Sequence, residues 1–238
     1  IDTSYMKNGQ FFSEYRMRDT ISGREAQAAL GLRNTFQLAE GLAMLTSFEH
    51  TTTISGSSGR STAASAAFEY TRNPLWKGSL RLEGRKESSQ TSYLATAAYA
   101  AKVNRDWSFI ARDYLSVTDR KSGQTGVQNR FQLGMAYRPV DNDALALLAR
   151  VEYLVDRNAG GTKSKNDRLI FAASANYHPI RSIWLSGRVA AKMLVNDVNN
   201  YSAYTVGLRG IYDITENWDL GLQAGMLADH TGAMSYSA

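Results

Sequence analysis

The sequence predicts an all-β protein, an up-and-down antiparallel transmembrane β-barrel of about 14 to 16 strands, some of them missing from this chain. Three features carry that expectation. Apolar and polar residues alternate with a period of two over segments of about 10 to 13 residues, longer than the strands of soluble proteins. Aromatic residues gather around short turns that recur every 36 residues or so, one long up-and-down hairpin apart. The face opposite each apolar face is rich in arginine and glutamate.

The alternation is clearest in the second half of the chain. In "NRFQLGMAYR", Phe131, Leu133, Met135 and Tyr137 share one parity, and Arg130, Gln132, Gly134 and Arg138 take the other. "ALALLARVEYLVD" sets Leu145, Leu147, Val151 and Tyr153 against Arg150 and Glu152. Leu169, Phe171 and Tyr177 continue the pattern, then Tyr204, Val206, Leu208 and Tyr212, then Trp218, Leu220, Leu222 and Met226. A bilayer-spanning strand needs about 9 to 11 residues, so these segments are long enough. About thirteen segments can be counted, and Ile1 to Met6 could supply a fourteenth strand.

The breaks are of two kinds. Short ones fall at Ala39 to Gly41, Asn73-Pro74, Asn104 to Asp106, Pro139 to Asp143, Pro179 to Ser182 and Thr215 to Asn217. Longer polar loops are expected between them at "TTISGSSGRS", "TDRKSGQTG", "DRNAGGTKSKN" and "NDVNN". All 3 prolines sit in short turns, where a missing N–H donor costs the ladder least. Tyr70, Tyr137, Tyr177 and Tyr212 precede short turns, and Trp76, Trp107 and Trp218 follow them, all on apolar parity. That arrangement predicts an interfacial aromatic girdle, because amphipathic rings settle at the membrane–water boundary. Trp184 breaks the rule by sharing parity with Arg188 and Lys192, so it faces inward or a bulge resets the register near "NYHPIRSIWLSG".

If the apolar parity faces lipid, the other lines the interior. The lumen-lining charged residues are then Arg33, Arg81, Glu83, Arg130, Arg150, Glu152, Arg188, Lys192 and Arg209. Glu14, Arg16, Arg18, Glu25, Glu49, Glu69, Arg85, Arg112 and Arg138 share that parity. So many charges cannot be left unpaired in a dry core, so the interior is watered or densely ion-paired. Small inward residues such as Ala29, Gly31, Gly134 and Ala172 leave room for long arginine side chains. Either an anion-favouring pore or a braced, plugged barrel fits this composition.

Composition excludes several classes. No run of about 18 apolar residues exists, so the chain has no transmembrane helix. With 0 Cys it has no disulfide, thiolate zinc site or cysteine nucleophile. Net charge +5 could suggest nucleic acid, but the basic residues are dispersed rather than clustered. No phosphate-binding glycine loop, nucleophile elbow or metal-binding histidine pair occurs, so no cofactor, metal or catalytic residue is expected. The Asp229-His230 pair in "LADHTG" resembles a surface-protease arrangement, yet lacks converging carboxylates and reads as a solvated loop. "NDVNN" and Asp141 to Asp143 read as turns before they read as calcium ligands. The alternative from a different class is a soluble all-β adhesion or carbohydrate-binding module, with Leu133, Met135, Leu147 and Val206 packed in a dry core.

The stretches "GLRNTFQLAEGLAMLTSFEHT", "EYTRNPLWKGSLRLEGR", "RDWSFIARDYLS", "NRFQLGMAYRPVDNDALALLARVEYLVDR" and "WLSGRVAAK" resemble the C-terminal outer-membrane barrel of large multidomain proteobacterial surface proteins. There the barrel follows extended repeat or immunoglobulin-like regions. The resemblance implies one barrel domain over residues 1–238 in a Gram-negative outer membrane. It would serve as membrane anchor or conduit for a surface-exposed or periplasmic assembly, or as a porin-like channel for small, anionic solutes. Outer-membrane lipid, lipopolysaccharide and other envelope proteins are the expected partners. "MSYSA" is not an alternating, aromatic-ended closing strand, so the chain is expected to be a piece of a longer barrel.

Overall fold

The computed structural model describes all residues except 1, 21–22, 56–58, 124, 143, 161, 197–199, 216 and 238. The side chains of 18–25 and 158–165 are also outside the description, and with them the inward positions Arg18 and Glu25. Asp143 and the centre of the "NDVNN" run likewise lie outside the described residues.

Every regular element is a strand. The first five are β1 (Asp2–Met6), β2 (Gly9–Thr20), β3 (Gly23–Ala39), β4 (Leu42–Ser55) and β5 (Arg60–Tyr70). Then come β6 (Trp76–Glu87), β7 (Gln90–Lys102), β8 (Trp107–Arg120), β9 (Thr125–Tyr137) and β10 (Leu145–Gly160). The last are β11 (Thr162–Ile180), β12 (Ile183–Asn196), β13 (Asn200–Thr215), β14 (Trp218–Asp229) and β15 (Met234–Ser237). Strand order follows chain order from β1 to β15, an antiparallel up-and-down meander. Two compact units can be distinguished. The first comprises Ile1–Tyr99, Asp113–Gln128 and Asn158–Gly161, the second Ala100–Arg112, Asn129–Arg157 and Thr162–Ala238.

The register assigns faces, because cross-strand partners point the same way. In the second unit, Phe171 pairs with Ala191, Val189 with Val206, and Val206 with Met226, all on the apolar face. Ser174 pairs with Arg188, Ser186 with Arg209, and Arg209 with Gln223 on the polar face. In the first unit, Leu32 pairs with Phe48, Met44 with Phe68, and Phe68 with Leu80 on the apolar face. Arg33 pairs there with Ser47, and Ala67 with Arg81, on the polar one.

The apolar faces are bare. A soluble protein of 26.3 kDa would expose about 10,600 Å². This chain exposes 16314 Å², and among the described residues only Phe12, Ala26, Ala29, Ala63 and Leu154 are buried hydrophobics. Leu133, Met135 and Val206, which a soluble module would bury, are exposed. The apolar residues therefore need hydrocarbon, not a dry core, as their partner.

The expected longer loops are largely strand. β10 and β11 are joined at residue 161 alone, and β12 and β13 by 197–199. Polar side chains do not stop antiparallel pairing once the main-chain ladder is running. Asn166 thus pairs with Asn196, and Arg157 grips Asp167 with both terminal nitrogens. At about 3.3 Å per residue, β11 with its 19 residues runs well beyond the hydrocarbon.

The short turns are tied to their neighbours. The carbonyl of Asn8 accepts from Thr35 N–H at 3.0 Å, Gly41 from Thr71 at 2.8 Å, and Asp106 from Arg138 at 2.8 Å. Ala144 accepts from His178 at 2.8 Å and Ser182 from Asp213 at 2.9 Å. Register shifts lie near these turns at Ser4/Met6, Gln37/Ala39, Tyr177/Ile180 and Asp213/Thr215. Gly41 has φ 74, and a Cβ there would lie 2.3 Å from Arg72 Cβ. Gly123 has φ 82 but open space around it. Gly41→Ala should therefore lower stability by more than about 2 kcal/mol and Gly123→Ala by about 1 kcal/mol. Urea unfolding in detergent micelles measures both, and equal losses would refute the packed-turn account.

Candidate functional site

The polar face of the first unit carries an alternating chain of charges across β2, β3, β4 and β6. Arg33 lies 3.9 Å from Glu14, and Arg16 lies 2.8 Å from Glu14 and 2.9 Å from Glu49. Arg85 sits 3.8 Å from Glu49 and 3.2 Å from Glu83, and Arg81 is 2.8 Å from Glu83. Period-two alternation places these side chains on one face, and register brings them abreast: Gly31 opposite Glu49, Ala63 opposite Arg85. Glu49 and Glu83, each shared by two guanidiniums, have sheltered side chains, 18% and 15% exposed. Thr51, itself buried, donates a further hydrogen bond to Glu49. Four arginines against three glutamates leave this face nearly neutral.

Phe12 organises one end of that network. Its ring is 2% exposed on the polar face, opposite Gly31, where a Cβ would fall 2.3 Å from the ring. The space beside Gly31 is filled by this ring, and the Arg33 guanidinium lies over it at 4.2 Å. An aromatic packed on a cross-strand glycine is a recognised way to pin register, and the stacked guanidinium adds a cation–π contact. Parity alone gives no reason to single out Phe12, because the signal is the pairing with Gly31.

The second unit is arranged differently. Glu152 is buried and takes Arg130 at 3.4 Å and the Gln132 amide at 2.6 Å. Arg150, Arg188, Lys192 and Arg209 have no ion-pair partner among the described residues, and all four are exposed. Lys192 pairs across the sheet with Ile170 and Ala203, and Arg188 with Ser174 and Gly207, so their neighbours are neutral.

Aromatic residues line the short-turn end of each unit. In the first, the Tyr70 and Trp76 rings are 4.5 Å apart and Trp76 lies 5.9 Å from Tyr99. In the second, Trp107 lies 4.7 Å from Tyr137. Tyr177, Tyr212 and Trp218 are exposed on the apolar face of the same unit. Tyr99 belongs with them and carries the same signal, a tyrosine just before a short turn. Trp184 stays on the polar face: it pairs with Ile211 in unbroken register, while the bulge falls on the opposite strand at His178-Pro179. His178 and Trp184 stack at 4.6 Å.

The remaining histidines hold structural posts. His50 Nδ1 is 2.8 Å from the Thr62 hydroxyl, its cross-strand partner. Asp229 accepts from Thr231 N–H, the Thr231 hydroxyl and Ala233 N–H, and His230 meets Tyr201 edge-on. That aspartate caps its own loop.

Glu49→Ala would leave Arg16 and Arg85 facing each other with one carboxylate fewer. Charge-assisted bonds contribute about 1.5–3 kcal/mol, and partial exposure reduces this. A loss of about 1–3 kcal/mol is expected, measured by unfolding in micelles against Glu87→Ala as control; equal effects would dissolve the network. Single-tryptophan variants in lipid bilayers test the faces. Trp76, Trp107 and Trp218 should be quenched by brominated acyl chains and Trp184 by aqueous acrylamide, and quenching of Trp184 by lipid would reverse its assignment.

No known protein family and no curated protein sequence matches the chain. Solved structures do. The outer membrane channel DcaP of Acinetobacter baumannii is similar at TM-score 0.54 and 12% identity, over 92% of this chain and 86% of that one. A loop L8 deletion mutant of OmpT, an outer membrane protein of Vibrio cholerae, matches at TM-score 0.52 and 9% identity, over 96% and 94%. A bacterial polysaccharide outer membrane secretin matches at TM-score 0.50 and 12% identity, over 98% and 82%. Such low identities speak to fold alone. The chain has the all-β, antiparallel up-and-down fold of porin-like outer-membrane β-barrels, a fold at home in the outer membrane of Gram-negative bacteria.

Proposed function

We propose that this chain forms a conduit wall in the bacterial outer membrane through which small anionic solutes pass. One observation carries the proposal: Arg150, Arg188, Lys192 and Arg209 stand exposed on the polar face of the second unit, without an ion-pair partner among the described residues. A barrel that served only as an anchor could neutralise its inner charges, as the first unit does with its Arg/Glu chain. Cations left without carboxylates need water, and a watered row of positive charge lowers the barrier for anions. Substitution on a lumenal face tunes selectivity without disturbing the lipid face.

The self-neutralised network of the first unit favours a second reading, a braced wall that anchors a surface-exposed or periplasmic assembly. The resemblance to C-terminal barrels of large multidomain surface proteins belongs with it. Outer-membrane lipid and lipopolysaccharide are the proposed surroundings, and other envelope proteins the proposed partners.

Planar-bilayer recording decides between the readings. Reconstituted protein should give an anion-preferring current, and replacing the four cations with Gln should bring the anion-to-cation permeability ratio to one or below. An unchanged ratio removes their role. Absence of current from protein that is folded by its heat-modifiable mobility leaves the anchor.

A further inference from the structure

The polar face of the second unit is not uniformly polar. Across β8 to β13 it sinks into a trough of about 400 Å³. Its floor is made of small residues, Gly134, Ala136, Ala172 and Ala190, and its sides of Ile110 and Leu148. Ile110 and Leu148 are both more than half exposed, on the parity that otherwise carries charge. Arg150 and Arg188 bound the trough. Beside it lies a second hollow of about 210 Å³, lined by Asn176, Ser186, Arg188, Arg209 and Gln223. Register makes this a row of hydrogen-bonding groups: Asn176 opposite Ser186, Ser186 opposite Arg209, Arg209 opposite Gln223.

Arg188 belongs to both hollows. Its stem lies on Gly207, where a Cβ would meet its Nε at 2.7 Å and its Cγ at 3.1 Å, so the absent side chain lets the arginine lie along the wall. Its guanidinium has no carboxylate partner among the described residues. An apolar trough of this volume with few polar groups at one edge has the make-up of a small-molecule site. The unmatched cations specify the sign of the ligand, and the fork of arginine matches a planar carboxylate.

We infer that the two hollows form one binding site for an amphiphilic monocarboxylate, with its aryl or alkyl body in the trough and its carboxylate on Arg188 and Arg209. A neutral apolar ligand would leave the cations unused, and an amine would be repelled by them. A sugar or free phosphate would find too few partners over the alanine floor. The inference rests on the reading that this face lines a watered interior, and it adds a saturable site to that interior.

The test is equilibrium dialysis of 4-phenylbutyrate against the folded protein in detergent micelles, with empty micelles as blank. Saturable binding is expected, at least tenfold tighter than that of butyrate, which lacks the body, and of 4-phenylbutylamine, which reverses the charge. Arg188→Gln should weaken binding at least tenfold, and so should Ala172→Leu, which fills the trough without touching a charge. Gly207→Ala, which lifts Arg188 from the wall, should weaken it by a smaller factor. If Arg188→Gln does not fold, Arg188→Lys keeps the charge, removes the fork and should still weaken binding. Unchanged affinity in Ala172→Leu, or equal binding of butyrate or the amine, overturns the site. Saturable binding without current sinks the conduit and keeps the site, and current without saturable binding does the reverse.

Discussion

Main-chain hydrogen bonding is the constraint on which the rest of this molecule depends. In hydrocarbon an unpaired N–H or C=O has no water to turn to, and each costs several kcal/mol. A continuous antiparallel ladder meets that demand with any side chains, which frees the side chains to be divided between two solvents. Phe171, Val189 and Val206 face one way and Ser174, Arg188 and Arg209 the other, from alternate parities of the same strands. The ladder also explains why strands continue beyond the apolar band. Once paired, Asn166 and Asn196 need only water around them to remain paired.

The two polar faces show two solutions to one problem. On the first, charge is cancelled by neighbours: each sheltered glutamate is shared between arginines, and the ring of Phe12 supports the end of the row. Such a face is a brace, and its worth lies in geometry more than in net attraction. On the second, Glu152 takes Arg130, while Arg150, Arg188, Lys192 and Arg209 go without a carboxylate among the described residues. That face keeps its electrostatic potential available to whatever enters it.

The fold was legible because its signal is one-dimensional. Period-two alternation, prolines in turns at Pro74 and Pro139 and tyrosines before turns can all be counted along the chain, while Pro179 falls at the bulge that ends β11. Cross-strand register puts Arg33 abreast of Ser47 and Arg209 abreast of Gln223. What was hidden depends on register. That Arg16 reaches Glu49, 33 positions away, follows from β2, β3 and β4 lying side by side at a particular offset. Polar composition around Gly160 suggested loop where the ladder persists. Trp184 could not be placed because a bulge can sit on either strand of a hairpin, and here it sits on β11.

The bonds from the turns at Asn8, Gly41, Asp106, Ala144 and Ser182 to the following hairpin have a consequence for how the sheet finds its alignment. Alternation punishes a slip of one residue severely, because every apolar side chain would then face water. It is blind to a slip of two, which returns all side chains to their proper faces. The turn-to-strand bonds are not blind to it. Shifted by two, the carbonyls of Gly41, Asp106 and Ser182 would miss Thr71, Arg138 and Asp213. The turns therefore act as a vernier: the coarse scale of each unit is read by hydrophobicity, and the fine scale by a handful of backbone contacts.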